Sequence, residues 1–451
     1  MEMRIIVIGG DAAGMSAASR ARRNSPESEV VVYEKGSYVS YSACGMPFFI
    51  GGVVPDFDSL IHYPLSKFTG ERRIDVHINS EVLEINPERK EVVVNSSEGK
   101  FSDHYDALVI ATGARARIPD EFSGLKGVYT LRTLNELRTL EDAIKSAKDA
   151  VIVGAGYIGL EMAEAFTKRG IKVSIIQRSE RILRGLDSEM METVKETLKS
   201  NGIDILLNSR IDKIHSENGK ITGITTGSRY IPADLLFVSV GVIPNSEIAV
   251  NAGILTGVSN AIKVNERMET NIRGIYAAGD VAITRNMVNG KDTYFPLATG
   301  SNKEGRTAGE NAVGGSAEYA GICATEVVKV FDLEVGRVGL TDEEALESGF
   351  KPVSSTITST SKASYYPGAT PITIKLTADL GSRRLIGANL MGKEGVAKRL
   401  DVLASAMYSK LMVEDLTKID YSYSPPFSPT WEPIGVAADV LLGKLKRMVT
   451  S

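Results

Sequence analysis

The sequence predicts an α/β fold with two similar parallel sheets, followed by a separate α+β domain. Two observations predict the sheets: an apolar strand, a glycine turn, a helix and a second strand occur in that order from residue 4 and again from residue 150. The third observation concerns the C-terminal end. Beyond residue 325, strand-like stretches precede a helix predicted over 395–411, and no further glycine turn occurs.

The first strand–turn–helix–strand unit covers residues 4–34. Its turn holds Gly9 and Gly14, but Asp11 stands where the middle glycine of a GxGxxG motif belongs. Such a turn lets the backbone approach a pyrophosphate, whose charge the free N–H groups and the helix dipole favour. Glu34 follows Gly14 by twenty residues, at the end of the second strand, where a carboxylate can accept hydrogen bonds from ribose hydroxyls. The unit is therefore predicted to bind a dinucleotide; a purely structural turn is the alternative.

The second unit covers residues 150–176 and has all three glycines of the motif, within residues 154–159. Its second strand is followed by Gln177 and Arg178. An acidic residue at this point would hold the ribose of NAD and repel a 2′-phosphate, whereas an arginine can pair with that phosphate. The sequence therefore favours NADPH, with NADH left open. A solvated surface is the alternative role for the arginines here, which include Arg181 and Arg184.

Composition and charge exclude several classes of function. Hydrophobic residues make up 43% of the chain and charged residues 24%, which is typical of globular proteins in water. The net charge of −4 and the lack of a basic block argue against nucleic acid as a partner. No apolar run reaches the roughly 20 residues of a membrane span. The four histidines lack metal-ligand spacing, so no metal is expected, and two distant cysteines suit a cytoplasmic location.

Cys44 is the residue predicted to carry the chemistry. It lies shortly after the acidic end of the first unit, and a helix predicted to start nearby would favour its thiolate through the helix dipole. The only other cysteine is Cys323, and none lies within five residues, so an internal dithiol pair is excluded. Cys44 must therefore react with a partner from outside the chain. Inert packing is the alternative role for such a cysteine.

The ordered motifs resemble those of the pyridine nucleotide–disulfide oxidoreductases. The resemblance covers essentially the whole chain. In having a single active-site cysteine, the chain resembles the branch that contains coenzyme A disulfide reductase, NADH oxidase and NADH peroxidase. The motifs are the turn at 9–14, Ser-x-x-x-Cys at 40–44, Ala-Thr-Gly at 111–113, GxGxxG at 154–159 and the segment 270–280.

The resemblance implies two Rossmann-like domains and their cofactors. FAD is expected in a domain formed by residues 1–113 and 242–322, NAD(P)H in a domain over 114–241, and a C-terminal α+β dimerisation domain over 323–451. Asp280 is expected to hydrogen-bond the ribityl chain of the flavin. The expected cofactor-binding residues are Gly9, Asp11, Ala12, Gly14, Glu34, Lys35, Ala111, Thr112, Gly113, Arg132, Gly279, Asp280, Gly154, Gly156, Tyr157, Ile158, Gly159, Gln177, Arg178 and Gly241.

Finer features favour one activity within the branch. The oxidases and peroxidases carry a histidine beside the flavin, in the first glycine turn, where this chain has Ala12. A proton donor for peroxide is therefore missing. The segments around Tyr365 and Tyr423 resemble two tyrosine motifs of coenzyme A disulfide reductase. By that resemblance, both tyrosines reach the site of the partner subunit and assist the leaving thiol; aromatic packing at a dimer interface is the alternative.

The resemblance also implies a groove for coenzyme A, whose phosphates arginines can bind in a bidentate manner. Two departures leave the thiol substrate open. Ala43 replaces the asparagine that precedes the cysteine in the family reductase, and a lysine expected near Trp431 is absent. The residues of the expected groove are Ser16, Arg20, Arg23, Ser40 and Arg72.

The sequence thus predicts a homodimeric, NAD(P)H-dependent flavoprotein that reduces coenzyme A disulfide. The reaction would pass through a mixed disulfide between Cys44 and coenzyme A. Two alternative activities are open: CoA-dependent reduction of polysulfide or persulfide at the same cysteine, and reduction of oxygen as an NADH oxidase. A non-catalytic flavin-bound sensor is a further alternative of a different class.

Overall fold

The computed structural model of the protein describes residues 3–450, and the first strand–turn–helix–strand unit opens it. All of the last four residues of the first strand are buried, as expected for a strand covered on both faces. The elements in this part of the chain are β1 (Arg4–Ile8), α1 (Ala12–Asn24), β2 (Glu29–Tyr33), α2 (Met46–Ile50), β3 (Asp75–His77), β4 (Glu81–Asn86), β5 (Glu91–Ser96), β6 (Gly99–His104), β7 (Ala107–Ile110) and β8 (Ala114–Ala116).

The second unit begins after a short strand and a helix. Strands β12, β11, β10, β16 and β9 form a parallel sheet in that order, and β13, β14 and β15 form an antiparallel sheet beside it. The elements are β9 (Val128–Tyr129), α3 (Leu134–Ile144), β10 (Asp149–Val153), α4 (Tyr157–Lys168), β11 (Lys172–Ile176), α5 (Ser188–Ser200), β12 (Asp204–Leu206), β13 (Lys213–Glu217), β14 (Lys220–Thr226), β15 (Arg229–Pro232) and β16 (Leu235–Val238).

The chain then returns to the first sheet. The strand β18 joins it at the edge, so that the parallel order is β18, β7, β1, β2, β3. The two passages between the sheets run side by side, because β8 pairs with β17 in antiparallel fashion. The elements are β17 (Val242–Pro244), α6 (Glu247–Asn251), β18 (Ile275–Ala277), β19 (Thr284–Arg285), β20 (Asp292–Thr293) and α7 (Ala298–Ala312).

Helix α7 packs closely against α1 through small residues on both. A Cβ atom on Gly305 would lie 2.2 Å from the carbonyl oxygen of Ala13, and one on Gly309 would lie 2.1 Å from that of Ala17. Only glycine permits such an approach of two helix backbones. This contact holds residues 298–312 beside the first glycine turn.

The C-terminal part forms an antiparallel sheet in the order β21, β22, β25, β24, β23, covered by helices. Its buried core includes apolar residues of β24, β25, α9 and α11. The elements are β21 (Glu326–Val330), β22 (Leu333–Gly339), α8 (Asp342–Glu347), β23 (Pro352–Thr360), β24 (Pro371–Asp379), β25 (Leu385–Gly392), α9 (Val396–Tyr408), α10 (Val413–Leu416) and α11 (Pro433–Thr450).

The predicted fold class is confirmed: there are two parallel sheets, each with a glycine turn between a strand and the following helix, and a separate domain with an antiparallel sheet ends the described chain. The helix predicted over 395–411 is shorter than expected. Gly395, with a φ of 76°, precedes it, and the helix ends at Tyr408. Across residues 3–450, no helix is long and apolar enough to cross a membrane. Within the same residues, no group of three acidic, histidine or cysteine side chains could hold a metal ion.

Candidate functional site

The first glycine turn connects β1 to α1 at the carboxyl end of the first sheet. Gly9 adopts a φ of 108°, and a Cβ atom there would lie 2.2 Å from the carbonyl oxygen of Ala111. Its N–H donates to the Tyr33 carbonyl at 2.8 Å. A Cβ on Gly14 would lie 1.8 Å from the carbonyl oxygen of Gly9, so the helix starts tightly against the turn. Ala12 is the first residue of α1.

Glu34 closes the turn from the end of β2. Its carboxylate accepts hydrogen bonds from the N–H of Gly10 at 2.7 Å and from the N–H of Gly36 at 2.6 Å. Burial raises the pKa of this carboxyl, although both N–H donors oppose that rise. Lys35, next in sequence, points to Glu81 at 3.6 Å. Since an ionised carboxylate has about four acceptor positions, Glu34 keeps capacity for a ribose hydroxyl.

Two buried polar atoms beside this turn lack partners within the described residues. They are Oδ1 of Asp11 and Nε of Arg132. Burial and the neighbouring charge of Glu34 raise the pKa of Asp11 to about 7. Buried polar atoms without partners are costly in a folded protein. One acceptor and one donor beside a glycine turn thus fit the hydroxyl-rich and phosphate-rich chain of FAD.

Arg132 and Asp280 form the next part of the same site. Nη2 of Arg132 donates to the Asp280 carboxylate at 2.6 Å, and the Ser301 hydroxyl donates to its other oxygen at 3.2 Å. The adjacent Gly279 donates its N–H to Glu304 at 2.9 Å. Asp280 therefore lies beside the first turn as expected, but in the chain alone its carboxylate is occupied by Arg132.

The Ala-Thr-Gly segment after β7 forms the opposite edge. The N–H of Ala111 donates to the Ile8 carbonyl at 2.8 Å, and the Thr112 hydroxyl donates to the carbonyl of Asn245 at 2.7 Å. The carbonyl of Gly113 accepts from the Asn245 backbone N–H at 2.9 Å. The return passage after β17 thus holds this segment against the first turn.

The second glycine turn repeats the arrangement of the first. Gly154 has a φ of 106°, and a Cβ on Gly159 would lie 2.2 Å from the Gly154 carbonyl oxygen. Gln177 takes the place of Glu34: its Oε1 accepts the N–H of Ala155 at 3.2 Å. No atom of the described chain lies within 4 Å of a Cβ placed on Gly156. The turn is thus open at the position where a pyrophosphate would approach.

Three other residues predicted to bind the second cofactor are Tyr157, Ile158 and Gly241. Tyr157 and Ile158 are the first two residues of α4 and are partly buried. The Tyr157 hydroxyl donates to Glu326 in the C-terminal domain. Gly241 has a φ of 107°, and its carbonyl accepts the N–H of Arg117 at 2.9 Å.

The arginines after β11 have different surroundings. Arg178 and Arg184 are exposed and form no ion pair with another described residue. Arg181 pairs with Glu343 of the C-terminal domain at 3.0 Å, and its carbonyl accepts from Nε2 of Gln177 at 2.9 Å. Two of the three arginines are therefore available to a 2′-phosphate, and the third already has a carboxylate partner.

Cys44 lies in a short helical turn directly before α2, and its side chain is exposed in the chain. The protein around the thiol nevertheless desolvates it and, with the charge of Glu161, raises its pKa; Arg132 opposes the rise. A helix does start shortly after Cys44, but in the chain alone the surroundings as a whole oppose the thiolate. Helix α2 has only five residues and starts after Cys44, so its dipole is small beside the desolvation.

The second cysteine lies elsewhere. Cys323 is buried within the apolar core of the C-terminal domain, among residues of β24, β25 and α9. Both cysteines are free thiols. Cys44 therefore has no disulfide partner within its own chain.

Tyr365 and Tyr423 come together on the surface of the C-terminal domain. Their hydroxyl oxygens are 3.3 Å apart, and the side chains are 73% and 48% exposed. The same surface carries Phe427 and Trp431, each 78% exposed. Exposed aromatic side chains in such a group mark interaction surfaces. Within residues 3–450, the two hydroxyls hydrogen-bond each other, and neither forms a hydrogen bond with a residue next to Cys44.

The residues predicted for coenzyme A lie around α1 and the segment before β3. The Ser16 hydroxyl donates to Oδ1 of Asn302 at 2.7 Å, and Arg20 donates twice to one oxygen of Glu310. Arg72 donates to the Ser19 hydroxyl at 2.7 Å.

The other two residues predicted for coenzyme A are Arg23 and Ser40. Arg23 is exposed, and within residues 3–450 it forms no ion pair. Ser40 adopts a φ of 52°, and its N–H donates to the carbonyl of Gly10 at 2.9 Å. Ser40 thus joins the predicted groove to the first glycine turn.

Glu161 is a site residue that sequence reasoning missed. It stands in the first turns of α4, and burial together with Glu164 raises its pKa to about 7. The residue two positions after the last glycine of a GxGxxG motif is a carboxylate among apolar neighbours, Leu160 and Met162. An acidic residue on the buried part of a helix was the available signal.

Comparisons with known proteins identify the family. The family described as pyridine nucleotide-disulphide oxidoreductase matches residues 3–305, and its dimerisation domain matches residues 325–433. The chain is 38% identical to an NAD(P)H sulfur oxidoreductase (CoA-dependent) from Pyrococcus abyssi, over 97% of this chain and 98% of that protein. It is 33% identical to a coenzyme A disulfide reductase from Staphylococcus aureus, over 94% and 96% of the two chains.

A solved structure agrees. The structure of an NAD-dependent persulfide reductase from A. fulgidus is 37% identical, with a TM-score of 0.96, covering 99% of this chain and 84% of that one. The family implies FAD and NAD(P)H as cofactors, and the dimerisation domain implies a homodimer. The chain therefore belongs to the pyridine nucleotide-disulphide oxidoreductases, as a flavoprotein NAD(P)H oxidoreductase with a C-terminal dimerisation domain.

Proposed function

We propose that the protein is an NAD(P)H-dependent, CoA-dependent reductase of sulfane sulfur, in the form of persulfide or polysulfide, at Cys44. The observation that carries this proposal is the solitary thiol: Cys44 is exposed, whereas Cys323 is buried in a different domain. A lone cysteine cycles against an external thiol or disulfide. The names of the similar proteins, which mention CoA-dependent sulfur and persulfide, favour sulfane sulfur as the acceptor.

The proposed chemistry begins with the Cys44 thiolate. It attacks the CoA-bound sulfur of a CoA persulfide; the S–S bond breaks, hydrosulfide leaves, and a disulfide between Cys44 and coenzyme A forms. Two electrons and a proton then cleave that disulfide into the Cys44 thiolate and free coenzyme A. FAD, held by the first glycine turn with Asp11 and Arg132, would relay those electrons from NAD(P)H. Polysulfide would enter by first transferring a sulfur atom to coenzyme A.

The residues around Cys44 control its protonation in this scheme. Desolvation and Glu161 raise the pKa of Cys44, and Arg132 lowers it. Cationic neighbours stabilise a thiolate, whereas a carboxylate opposes it. The protein chain alone therefore keeps the thiol protonated more readily than a free cysteine.

The residues of the predicted coenzyme A groove support the proposed requirement for coenzyme A. Arg72 stacks against the rings of Tyr63 and Phe68, each 4.9 Å from its guanidinium carbon, and this fixes the direction of the guanidinium. Arg23 is exposed beside it on α1. The guanidinium of Arg72 is held in place and that of Arg23 is exposed, and both can bind phosphates of the nucleotide end of coenzyme A. Arg20 would join them only by exchanging Glu310 for a phosphate.

The exposed tyrosine pair suits an interface with the partner subunit. Tyr365 and Tyr423 are exposed on the dimerisation domain, and within residues 3–450 neither hydroxyl hydrogen-bonds a residue next to Cys44. The hydrogen bonds from Tyr365 and Thr430 lower the pKa of Tyr423. In a homodimer, we propose that this hydroxyl provides the proton for the leaving thiolate at the partner's site.

We also propose that NADPH is accepted, because Arg178 and Arg184 are exposed beside the second glycine turn. Gln177 at the end of β11 carries no charge that would repel a 2′-phosphate. NADH is expected to bind as well, since Gln177 can still hydrogen-bond a ribose hydroxyl.

Reduction of coenzyme A disulfide is the second candidate, and the tyrosine pair favours it. The preference of the sequence for this activity over sulfane sulfur has weaker support, because the relative named as a coenzyme A disulfide reductase is 33% identical and the sulfur oxidoreductase 38%. An NADH oxidase activity has the weakest support of the three activities, since Ala12 supplies no proton beside the flavin.

Anaerobic steady-state kinetics test the proposal. NAD(P)H oxidation and sulfide release are measured with polysulfide, with and without coenzyme A, and with coenzyme A disulfide. We expect polysulfide turnover to require coenzyme A and to vanish in Cys44→Ser, while Cys323→Ser retains it as the matched control. Turnover of polysulfide at the same rate without coenzyme A, or in Cys44→Ser, would contradict the proposal.

A further inference from the structure

We propose that Glu343, in the C-terminal domain, weakens the preference for NADPH by holding Arg181 away from the 2′-phosphate. The inference rests on the proposed use of NADPH at the second glycine turn. It concerns how the loop of residues 177–187, which carries the three arginines, is fixed against another domain.

The end of this loop is anchored to the C-terminal sheet. The N–H of Asp187 donates to Oδ1 of Asn389 at 2.8 Å, and its carboxylate pairs with Lys375 at 2.8 Å. A Cβ on Gly185 would lie 1.7 Å from Nη1 of Arg337, so that guanidinium packs directly on the loop backbone. Three residues of the C-terminal sheet thus fix the end of the loop. A side chain on helix α8 is consequently in a defined position relative to the arginines.

One acidic residue of α8 pairs with the loop. The first turn of that helix holds Asp342, Glu343 and Glu344. Asp342 accepts from Lys375, Ser354 and Thr377, and Glu344 closes the capping box with Thr341. Glu343 has neither role and instead pairs with Arg181 at 3.0 Å.

The pair of Arg181 and Glu343 affects the charge near the nucleotide. The carbonyl of Arg181 accepts a hydrogen bond from the side chain of Gln177, the residue expected at the ribose. The backbone of Arg181 therefore lies next to the expected ribose position. With Glu343 in place, the pair adds no net charge there. Both side chains are at least half exposed, at 50% and 61%, so solvent and salt weaken the interaction. A surface pair of this kind shifts a phosphate affinity by a small factor, about two- to fivefold.

The test uses the FAD-containing enzyme without any sulfur acceptor. Rates of flavin reduction by NADPH and by NADH are measured anaerobically, and affinities for NADP⁺ and NAD⁺ by titration calorimetry. We expect Glu343→Gln to raise the NADPH/NADH ratio in both measurements by about two- to fivefold. Glu347→Gln removes the same charge from the same helix and should leave the ratio as in the wild type.

A double substitution separates the role of Arg181 from a general loss of negative charge. Arg181→Ala alone should lower the ratio slightly, because it leaves the negative charge of Glu343 without its partner. Combined with Glu343→Gln, it should abolish the increase. An unchanged ratio in Glu343→Gln, an equal rise in Glu347→Gln, or a rise that survives Arg181→Ala would overturn this inference alone. If neither nucleotide reduced the flavin, the proposed function would fail with it.

Discussion

The hydroxyl oxygens of Tyr365 and Tyr423 lie 3.3 Å apart, although 58 residues separate them in sequence. The segments that carry the two tyrosines are both exposed, and both are connected to one buried side chain. Arg399 is that side chain: its Nη2 donates to the Ser361 carbonyl at 3.0 Å, and its guanidinium pairs with Glu432. One buried arginine of α9 therefore ties the segment before the first tyrosine to the segment after the second.

Removing either hydroxyl of the tyrosine pair should slow turnover. Because the hydrogen bond from Tyr365 helps to lower the pKa of Tyr423, we expect both Tyr423→Phe and Tyr365→Phe to reduce kcat, by about a hundredfold or more where the proton donor itself is lost. The larger loss is expected for Tyr423→Phe. Steady-state kinetics at constant FAD content measure it, and Tyr230→Phe, a surface tyrosine of β15, is the control. Full activity in Tyr365→Phe/Tyr423→Phe would contradict a role in proton transfer.

Loss of Arg399 should destabilise the C-terminal domain. The side chains of Arg399 and Glu432 are each 9% exposed, so Arg399→Met leaves a buried carboxylate without its partner. The expected cost is about 3–5 kcal/mol in the free energy of unfolding, measured by urea denaturation. Arg399→Met/Glu432→Met should recover most of it, because no unpaired charge is then buried. If the double variant were as unstable as the single one, the cost would lie in packing instead of charge.

The two exposed arginines should carry the preference for NADPH. A charge-assisted hydrogen bond to a phosphate contributes on the order of 1.5–3 kcal/mol, so Arg178→Ala and Arg184→Ala should each lower kcat/KM for NADPH about tenfold. The value for NADH should change far less, because its ribose lacks the 2′-phosphate. Initial rates with both nucleotides measure the difference. Equal losses with NADPH and NADH would assign these arginines to the fold and not to specificity.

The reactivity of Cys44 should depend on Glu161. Desolvation and the charge of Glu161 raise the pKa of Cys44, so the thiolate, and with it the alkylation rate, should increase as the pH rises through the alkaline range. The pKa of Glu161 is itself about 7, so this carboxylate is charged where Cys44 titrates. Glu161→Gln removes the charge, lowers the pKa of Cys44 and should move the profile to lower pH.

Alkylation of the resting enzyme by iodoacetamide, followed across pH, measures that shift. Glu196→Gln, on the exposed face of α5, is the matched control and should leave the profile in place. A profile that moved to higher pH in Glu161→Gln, or moved equally in both variants, would show that Glu161 does not act on the thiol through its charge.

The glycine turns are the part of the site that the sequence predicted best. Local rules suffice there: Gly9 and Gly154 need positive φ, and Glu34 and Gln177 end a strand at a fixed distance from each turn. The fold class followed from the same pattern. That Cys44 has no second cysteine nearby followed from counting cysteines, and its role as the reacting thiol stays a prediction.

Relationships across the fold could not be predicted in this way. The pairing of Arg181 with Glu343 joins two domains, and no local pattern in either segment indicates it. The raised pKa of Cys44 could not be predicted for a similar reason. Its main causes, desolvation and Glu161 on α4, depend on how α2 packs against another domain, whereas the sequence showed only a nearby helix.

Mass spectrometry of the Cys44 peptide tests the central claim most directly. The enzyme, with FAD oxidised and Cys44 present as a free thiol, is incubated anaerobically with CoA persulfide, digested without reductant and compared with a sample that received NADPH before digestion. The proposed chemistry predicts an adduct of the mass of coenzyme A on Cys44, removed by NADPH, and none on Cys323. Continued sulfide release with no such adduct, or with one that NADPH does not remove, would contradict it.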